Sequence, residues 1–260
     1  MLNPKTSVHA GRPAAPGELG DLRFRVLLGN DDWHSLPLAV RKRFSRRLGG
    51  QESVVYKGEV VHTRMTGLGW CLAQATRLIG GPLPLSRDAH VAAIVTVTED
   101  PATGGQFWSR HYNRHRGFPQ VIHSSKRFAG PTGLEEYVGG GVGMALTIHA
   151  QEGALLFKSA HYFLAFGKRH FHFPGWLSPG AVTVTHKAID EDQFEFQLHL
   201  AHPVFGTLIH QSAMFREAAT AQGAKKERTS KSSLPRFTLP RPGAVGRNAK
   251  PSQFQGLQVK

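Results

Sequence analysis

The segment Gln193-Phe-Glu-Phe-Gln-Leu-His-Leu200 alternates polar and apolar side chains at every position. Successive side chains of a β-strand point to opposite faces of the sheet. The apolar residues from Phe194 to Leu200 therefore share one face, and the polar residues share the other. The segment predicts a strand with a buried face and a second face that is wet or lines a polar space.

The same two-residue period predicts further strands on both sides of this segment. Val54–Met65 reads as extended, and the other strands are expected at about 89–98, 105–112, 118–128, 142–149, 154–166, 181–189 and 204–215. Short turns and few helices between them favour an antiparallel sheet curved into a barrel or a sandwich. A parallel nucleotide-binding sheet is not expected. The 16 Phe residues suit such a β-rich interior.

Short helices are predicted before the sheet. One begins after Asp21 as its N-cap and ends at Gly29, and a second has Ser35 as its N-cap and ends at Gly49. A third is expected over Leu68–Ile79, with Leu68, Cys71, Leu72, Ala75, Leu78 and Ile79 on its inner face. The predicted class is α+β and β-dominated: two or three N-terminal helices followed by a curved antiparallel sheet, barrel- or sandwich-like.

Composition predicts a single domain between two segments without a core. Residues 1–20 are rich in Pro and Gly and read as a flexible leader, residues 21–216 form the domain, and residues 217–260 read as a basic disordered tail. The formal net charge is +14. From position 221 onward the chain has nine Lys and Arg against Glu227 alone. A tail of this kind predicts weak, non-specific contact with polyanions.

The compartment follows from the cysteine count and from the lack of targeting signals. Cys71 is the single cysteine, which excludes an intrachain disulfide framework. The first twenty residues have no apolar core of a signal peptide, and no apolar run approaches the length of a spanning helix. A cytoplasmic protein that is not an integral membrane protein is expected.

Several motifs that suggest cofactors are incomplete. The glycine run at 139–143 lacks the Lys-Ser/Thr pair of a phosphate-binding loop and is interpreted as a loop or a hinge at the entry to a strand. The pairs His170/His172 and His199/His202 have no carboxylate or thiol at ligand spacing, so no metal site and no cofactor are predicted. His186 is interpreted as a hydrogen-bonded core residue.

The candidate site lies on the strand Gln106–Tyr112. Two-residue spacing places Trp108, Arg110 and Tyr112 on one face, with a guanidinium between two aromatic rings. An unpaired buried guanidinium costs several kcal/mol, so a partner is expected from the adjacent pair Glu135 and Glu136. Ser124 shares a strand face with Ile122 and Phe128 and adds a hydroxyl to the cluster. Arg110 either forms an internal ion pair or anchors a ligand, and the sequence leaves both open.

A series of motifs is spread along the chain over about residues 21–215. They are Trp33-His-Ser-Leu-Pro-Leu-Ala-Val-Arg-Lys-Arg-Phe-Ser45, Tyr56-Lys-Gly58, Gly80-Gly-Pro-Leu-Pro84, Trp108-Ser-Arg110, Leu134-Glu135 and His202-Pro-Val-Phe-Gly206. In this order the motifs resemble those of the bacterial domain-of-unknown-function family 4166. Tyr112 stands where Phe is usual, and His210-Gln-Ser212 departs from the usual Tyr-x-Gly ending. Members are sometimes fused to saccharopine-dehydrogenase-like, NADP-binding domains, which implies work beside a redox enzyme or on its substrate.

Two main hypotheses follow for function. The first is a binding module whose curved sheet encloses an apolar or amphipathic small molecule, with Arg110, Trp108, Tyr112, Glu135 and Ser124 at the site. The second is an enzyme, or an accessory partner of an NADP-dependent oxidoreductase, acting on a carboxylate or carbonyl substrate through Arg110, Glu135 and a nearby His. A third is a membrane-surface adaptor that uses the basic helix at 36–49 and the tail. Whether the chain is an enzyme is left open.

Overall fold

The computed structural model describes residues 20–49, 52–167 and 169–218. Nearly all of the predicted leader (1–20) and of the predicted basic tail (217–260) lies outside these residues. The described part is a closed antiparallel β-barrel with short helices at its N-terminal side. No helix in the described ranges is long and apolar enough to cross a membrane.

In the described residues, eleven strands make up the sheet. They are β1 (Ser53–Met65), β2 (Val91–Asp100), β3 (Gly105–Tyr112), β4 (Gln120–Arg127), β5 (Glu135–Gly139), β6 (Val142–Gln151), β7 (Ala154–Phe166), β8 (Arg169–His172), β9 (Ala181–Ala188), β10 (Gln193–His202) and β11 (Gly206–Glu217). Ten of them form the barrel wall in chain order, and β8 pairs only with the end of β7. The predicted β-dominated, curved antiparallel sheet is confirmed.

The barrel closes because β1 pairs with β11 and β6 pairs with β7. Closure removes sheet edges and gives every wall strand one inner and one outer face. In β10 the predicted alternation holds: Phe194, Phe196, Leu198 and Leu200 are buried, and the polar residues between them are partly exposed. The apolar core is therefore the inside of the barrel.

Three short helices close one end of the barrel, which we call the helical end. They are α1 (Arg23–Leu28), α2 (Asn30–Ser35) and α3 (Leu38–Phe44). Phe24 of α1 and Phe44 of α3 pack edge to face at 5.3 Å between ring centroids, and both contact Phe157 of β7. Packed aromatic rings thus fill this end of the barrel.

The predicted boundaries of these helices were partly wrong. Ser35 is the last residue of α2, which was not predicted, and is not the N-cap of α3. Helix α3 begins after Pro37 and ends at Phe44, five residues before Gly49. The Pro37 ring fixes φ without needing an N–H partner, which suits the start of a helix. The Asp21 carboxylate accepts one hydrogen bond from the Arg23 backbone N–H and two from the Arg23 guanidinium.

The opposite end of the barrel, which we call the mouth end, carries helix α4 (Gly67–Ala75) and a 3₁₀ helix at Thr76–Ile79. The predicted inner face was partly wrong: Leu72 packs against the core, but Cys71 is exposed and Leu78 is 92% exposed. Helix α4 also packs through small residues. A Cβ on Gly69 would lie 2.3 Å from the Leu208 carbonyl oxygen, so only glycine permits this close approach to β11.

The glycine run forms the tight turn between β5 and β6, as the sequence indicated. Gly139, Gly140 and Gly141 all have positive φ, which other residues rarely adopt. A Cβ on Gly139 would lie 2.3 Å from the Ile79 carbonyl oxygen. The turn therefore touches the 3₁₀ helix and holds it over the mouth end.

Candidate functional site

An ionic cluster lies inside the barrel on three neighbouring strands. Lys126 of β4 stands directly opposite Glu136 of β5, and the Lys126 Nζ is 2.8 Å from the Glu136 Oε2. Arg110 of β3 places Nη2 3.4 Å from the other carboxylate oxygen and donates a 2.5 Å hydrogen bond to the Ser124 hydroxyl. All four side chains point inward because strand residues two apart share a face.

The cluster has two cations and one carboxylate, and all three are largely withdrawn from water. The side chains of Lys126, Glu136 and Arg110 are 6%, 5% and 13% exposed. Burial by itself would raise the pKa of Glu136, but the charges of Lys126 and Arg110 outweigh it and lower that pKa to about 2. Burial lowers the pKa of Lys126. The charge of Glu136 opposes this shift, and the charge of Arg110 adds to it. The cluster has one surplus positive charge when Lys126 is protonated.

Arg110 keeps donors that its neighbours do not use. Its Nε is buried and has no hydrogen-bond partner among the described residues. Only Nη2 is engaged there, by Ser124 and Glu136. A guanidinium has five N–H donors in a fixed plane, so this one can still receive a carboxylate.

The two aromatic residues predicted beside Arg110 lie where the spacing placed them. Trp108 and Tyr112 are both buried in the barrel interior. The Lys126 Nζ lies 5.1 Å from the Trp108 ring centroid, within the range of a cation–π contact. Burial raises the pKa of Tyr112, opposed by the charge of Arg110. The aromatic rings thus exclude water from the cluster.

Glu135 does not join the cluster. It is the neighbour of Glu136 on β5 and therefore faces the outside of the barrel wall. There it is buried beneath other groups, accepts a 2.9 Å hydrogen bond from the Tyr137 hydroxyl, and lies 3.5 Å from Nδ1 of His170. The arrangement expected of an enzyme, Arg110 with Glu135 and a His at one centre, is not formed.

A cavity of about 360 Å³ adjoins the cluster. Within the part of the chain that the structure describes, Arg110 and Glu136 are its only charged lining residues. The rest of its wall is almost entirely apolar, with inward residues from β6, β9 and β10 such as Met144, Val184 and Leu198. The hydroxyl of Tyr162 in this wall already donates to the Gly180 carbonyl oxygen. An apolar space with one polar end is the usual form of a small-molecule site.

The cavity reaches the mouth end between two segments. One is the 3₁₀ helix and the turn after it, with Ile79, Pro82 and Leu83. The other is the connection between β8 and β9, with Phe173, Leu177 and Pro179. Leu177 is 53% exposed, so the lining continues to the surface. We call the gap between these two segments the mouth.

Two parts of this site were not predicted. The first is Lys126, which lies two residues after Ser124, just as Ile122 lies two residues before it. The strand period that places Ser124 on the inner face therefore places Lys126 there too. In the lining at 72–83, the predicted inner helix face included Leu72 and Ile79, but the segment after Ile79 and the lining at 173–179 gave no such signal. The place of these segments over the barrel depends on contacts far apart in the chain, such as the Gln120 side chain donating to the Leu83 carbonyl oxygen.

His186 on β9 lies in the interior between the cluster and the helical end. It is 3% exposed, and its ring contacts Phe44, Trp108, Phe157, Phe194 and Phe196. Its Nδ1 has no partner in the described residues, so the expected hydrogen bond at this atom is missing. Burial, together with the charges of Arg43, Lys126 and Arg110, holds the pKa of His186 well below its usual 6.5.

We expect His186→Phe to remove a large part of the pH dependence of stability. The depressed pKa means that the unfolded chain takes up a proton below pH 6.5 which the folded chain refuses. Stability is therefore complete above 6.5 and falls as the pH drops below it, by up to about 1.4 kcal/mol per pH unit. Urea unfolding at pH 7.0 and pH 5.0 measures the difference. If His186→Phe loses as much stability as the wild type over this range, His186 is not the group responsible.

The described residues contain no group of three or more His, Cys, Asp or Glu side chains placed to hold a metal ion. The geometry instead combines an apolar cavity with a cation-rich inner end. It can bind an elongated molecule with one anionic group.

Comparison with known proteins gives one family. Residues 36–215 match the model described as domain of unknown function (DUF4166). The match includes the whole barrel wall except the last two residues of β11, and it contains all members of the ionic cluster. Neither the comparison with curated proteins nor the comparison with solved structures finds a match.

Proposed function

The chain belongs to the DUF4166 family, and we propose that this member binds an anionic amphiphile, a carboxylate with an aliphatic tail, inside its barrel. The tail occupies the apolar cavity, and the carboxylate meets Arg110. The observation that carries the proposal is the buried Nε of Arg110, which has no hydrogen-bond partner among the described residues, on a side chain that lines the charged end of the cavity.

The charge balance favours an anion over a neutral ligand. Lys126 and Arg110 share Glu136, and buried charges are stable only when they are paired. A carboxylate arriving at Arg110 supplies the missing negative charge and accepts from donors that no described residue engages. A neutral head group would satisfy the donors but leave the surplus charge.

The cavity wall favours an aliphatic tail over a polar one. Apart from Arg110 and Glu136, its lining offers few polar groups, and the Tyr162 hydroxyl is already bonded. A polar substituent there would lose hydrogen bonds to water without replacing them, at a cost of about 1–3 kcal/mol. Burying methylene groups instead stabilises the complex by about 0.8 kcal/mol each.

We expect Arg110→Met to weaken decanoate binding by about tenfold to a hundredfold, since hydrogen bonds to a charged group contribute about 1.5–3 kcal/mol. Binding of decan-1-ol, which has the same tail without the charge, should weaken much less. Isothermal titration calorimetry on the two ligands measures both effects, and circular dichroism verifies that the variant is folded.

Arg64→Met is the matched control, because Arg64 is an exposed arginine on the outer surface of the barrel. It should bind decanoate as the wild type does. Equal affinity of wild type and Arg110→Met for decanoate would refute the Arg110 anchor. No binding of either ligand to the wild type would refute the proposal as a whole.

The second hypothesis, an enzyme or an accessory partner of an NADP-dependent oxidoreductase, receives less support. Its catalytic form requires Glu135 near Arg110, and these side chains lie on opposite faces of the barrel wall. The binding proposal uses Glu136 and requires no proton transfer.

A further inference from the structure

The mouth end of the barrel carries an unusual set of exposed side chains. Six of the seven exposed aromatic side chains in the described residues are found there; they are Trp70, Phe118, Phe166, Phe171, Trp176 and Phe205. Trp176 is 82% exposed and Phe118 is 92% exposed. Exposed aromatic rings concentrated at one end of a protein indicate a contact with another apolar phase or surface.

The charges at this end are almost all positive. The described residues of the mouth-end connections and of β8 include five exposed arginines, which are Arg77, Arg87, Arg114, Arg116 and Arg169. The single acid in the same segments is Asp88, whose carboxylate accepts a hydrogen bond from the His115 backbone N–H. The surface is therefore apolar and cationic at once.

We propose that the mouth end docks on the surface of an anionic lipid bilayer. Trp and Phe side chains settle at the boundary between head groups and acyl chains, and arginines attract the anionic head groups. A protein partner with an acidic rim would match the charge, but it would not require aromatic residues on several separate connections around an opening.

The position of the mouth connects this surface to the cavity. Leu177, which lines the mouth, follows Trp176, and Ile79 lines it beside Leu78, which is 92% exposed. Docking at this end places the opening of an apolar cavity against the acyl region. The link between membrane and cavity rests on the proposed function, because it makes the membrane the source of the amphiphile. The docking itself does not depend on that function.

Co-sedimentation of the full chain with vesicles tests the docking. One set contains phosphatidylcholine alone and the other adds phosphatidylglycerol. The wild type should bind the anionic vesicles more strongly, and added salt should weaken this binding. Arg114→Glu with Arg116→Glu should lower the partition coefficient on the order of thirtyfold or more, since each basic residue contributes about a factor of five.

Trp176→Ser with Leu78→Ser tests the apolar contribution. Both residues are more than 80% exposed, so the fold should not depend on them. Binding to anionic vesicles should fall, while binding of dissolved decanoate should be unchanged. The matched control at the helical end is Val26→Ser with Arg47→Glu, which alters an exposed apolar residue and an exposed cation without touching the mouth.

The outcomes separate the two proposals. Normal decanoate binding without vesicle binding would overturn the docking and leave the ligand proposal standing. Vesicle binding with no decanoate binding would overturn the ligand proposal and leave the docking standing. Vesicle binding that is lost in the helical-end control but kept in both mouth-end variants would assign membrane contact to the helical end, and would also overturn the docking. Saturable binding of the mouth end to a protein, without binding to the vesicles, would also overturn the docking.

Discussion

Replacement of Glu136 by Gln is expected to lower the free energy of unfolding by about 3–5 kcal/mol, because it leaves two buried cations without a counter-charge. Lys126 and Arg110 both depend on this carboxylate, at 2.8 and 3.4 Å. The amide keeps the size and one acceptor but removes the charge. The loss should appear as a lower urea midpoint at pH 7 with an unchanged denaturant dependence.

A second substitution distinguishes lost charge balance from general damage. Lys126→Met in the Glu136→Gln background removes one of the two unpaired cations, so it should restore much of the lost stability. Glu59→Gln is the matched control, since Glu59 is 52% exposed and its contact with His90 lies at the surface. That variant should change stability by less than about 1 kcal/mol. A small effect of Glu136→Gln would mean that the cluster is not buried as described.

Acid provides an independent readout of the same carboxylate. The pKa of Glu136 is lowered from 4.5 to about 2 in the folded protein, so its contribution is complete above pH 4.5 and is lost as the pH falls through 2. The shift corresponds to about 3 kcal/mol of stability. Glu136→Gln should therefore lose less stability than the wild type between pH 4.5 and pH 2.

The sequence predicted the wall of this barrel well because strand period is a local property. The bounds of β3 and β7 agree with the expected 105–112 and 154–166, and the inward face of β10 is the expected one. β5 and β8 were missed. They have five and four residues, too short for an alternation to be distinguished from a loop.

Closure of the barrel and the position of its cavity could not be predicted from the sequence, for a different reason. A two-residue period gives the face of each residue, but it does not give the number of wall strands or the pairing of β1 with β11. The choice between Glu135 and Glu136 depended on one residue of register in β5. A shift of one residue reverses every face, so the sequence could identify the pair but not the partner of Arg110.

The two ends of the barrel differ in the aromatic side chains that they expose to solvent. The mouth end has solvent-exposed aromatic residues beside the cavity opening. At the helical end, Phe44 turns its ring inward to 5.1 Å from His186 and 5.7 Å from Phe157. Phe44 therefore separates the buried cations and His186 from water, and its loss should affect stability without affecting the ligand cavity.

We expect Phe44→Ala to lower the free energy of unfolding by about 3–5 kcal/mol, as the removal of a fully packed aromatic ring usually does. Leu38→Ala on the same helix is the matched control; Leu38 is 56% exposed, and its loss should cost about 0.5 kcal/mol or less. Urea unfolding measures both. Below the unfolding transition, Phe44→Ala should still bind decanoate with wild-type affinity, because Phe44 does not line the cavity. A decanoate affinity that falls together with stability would show that the helical end shapes the cavity as well.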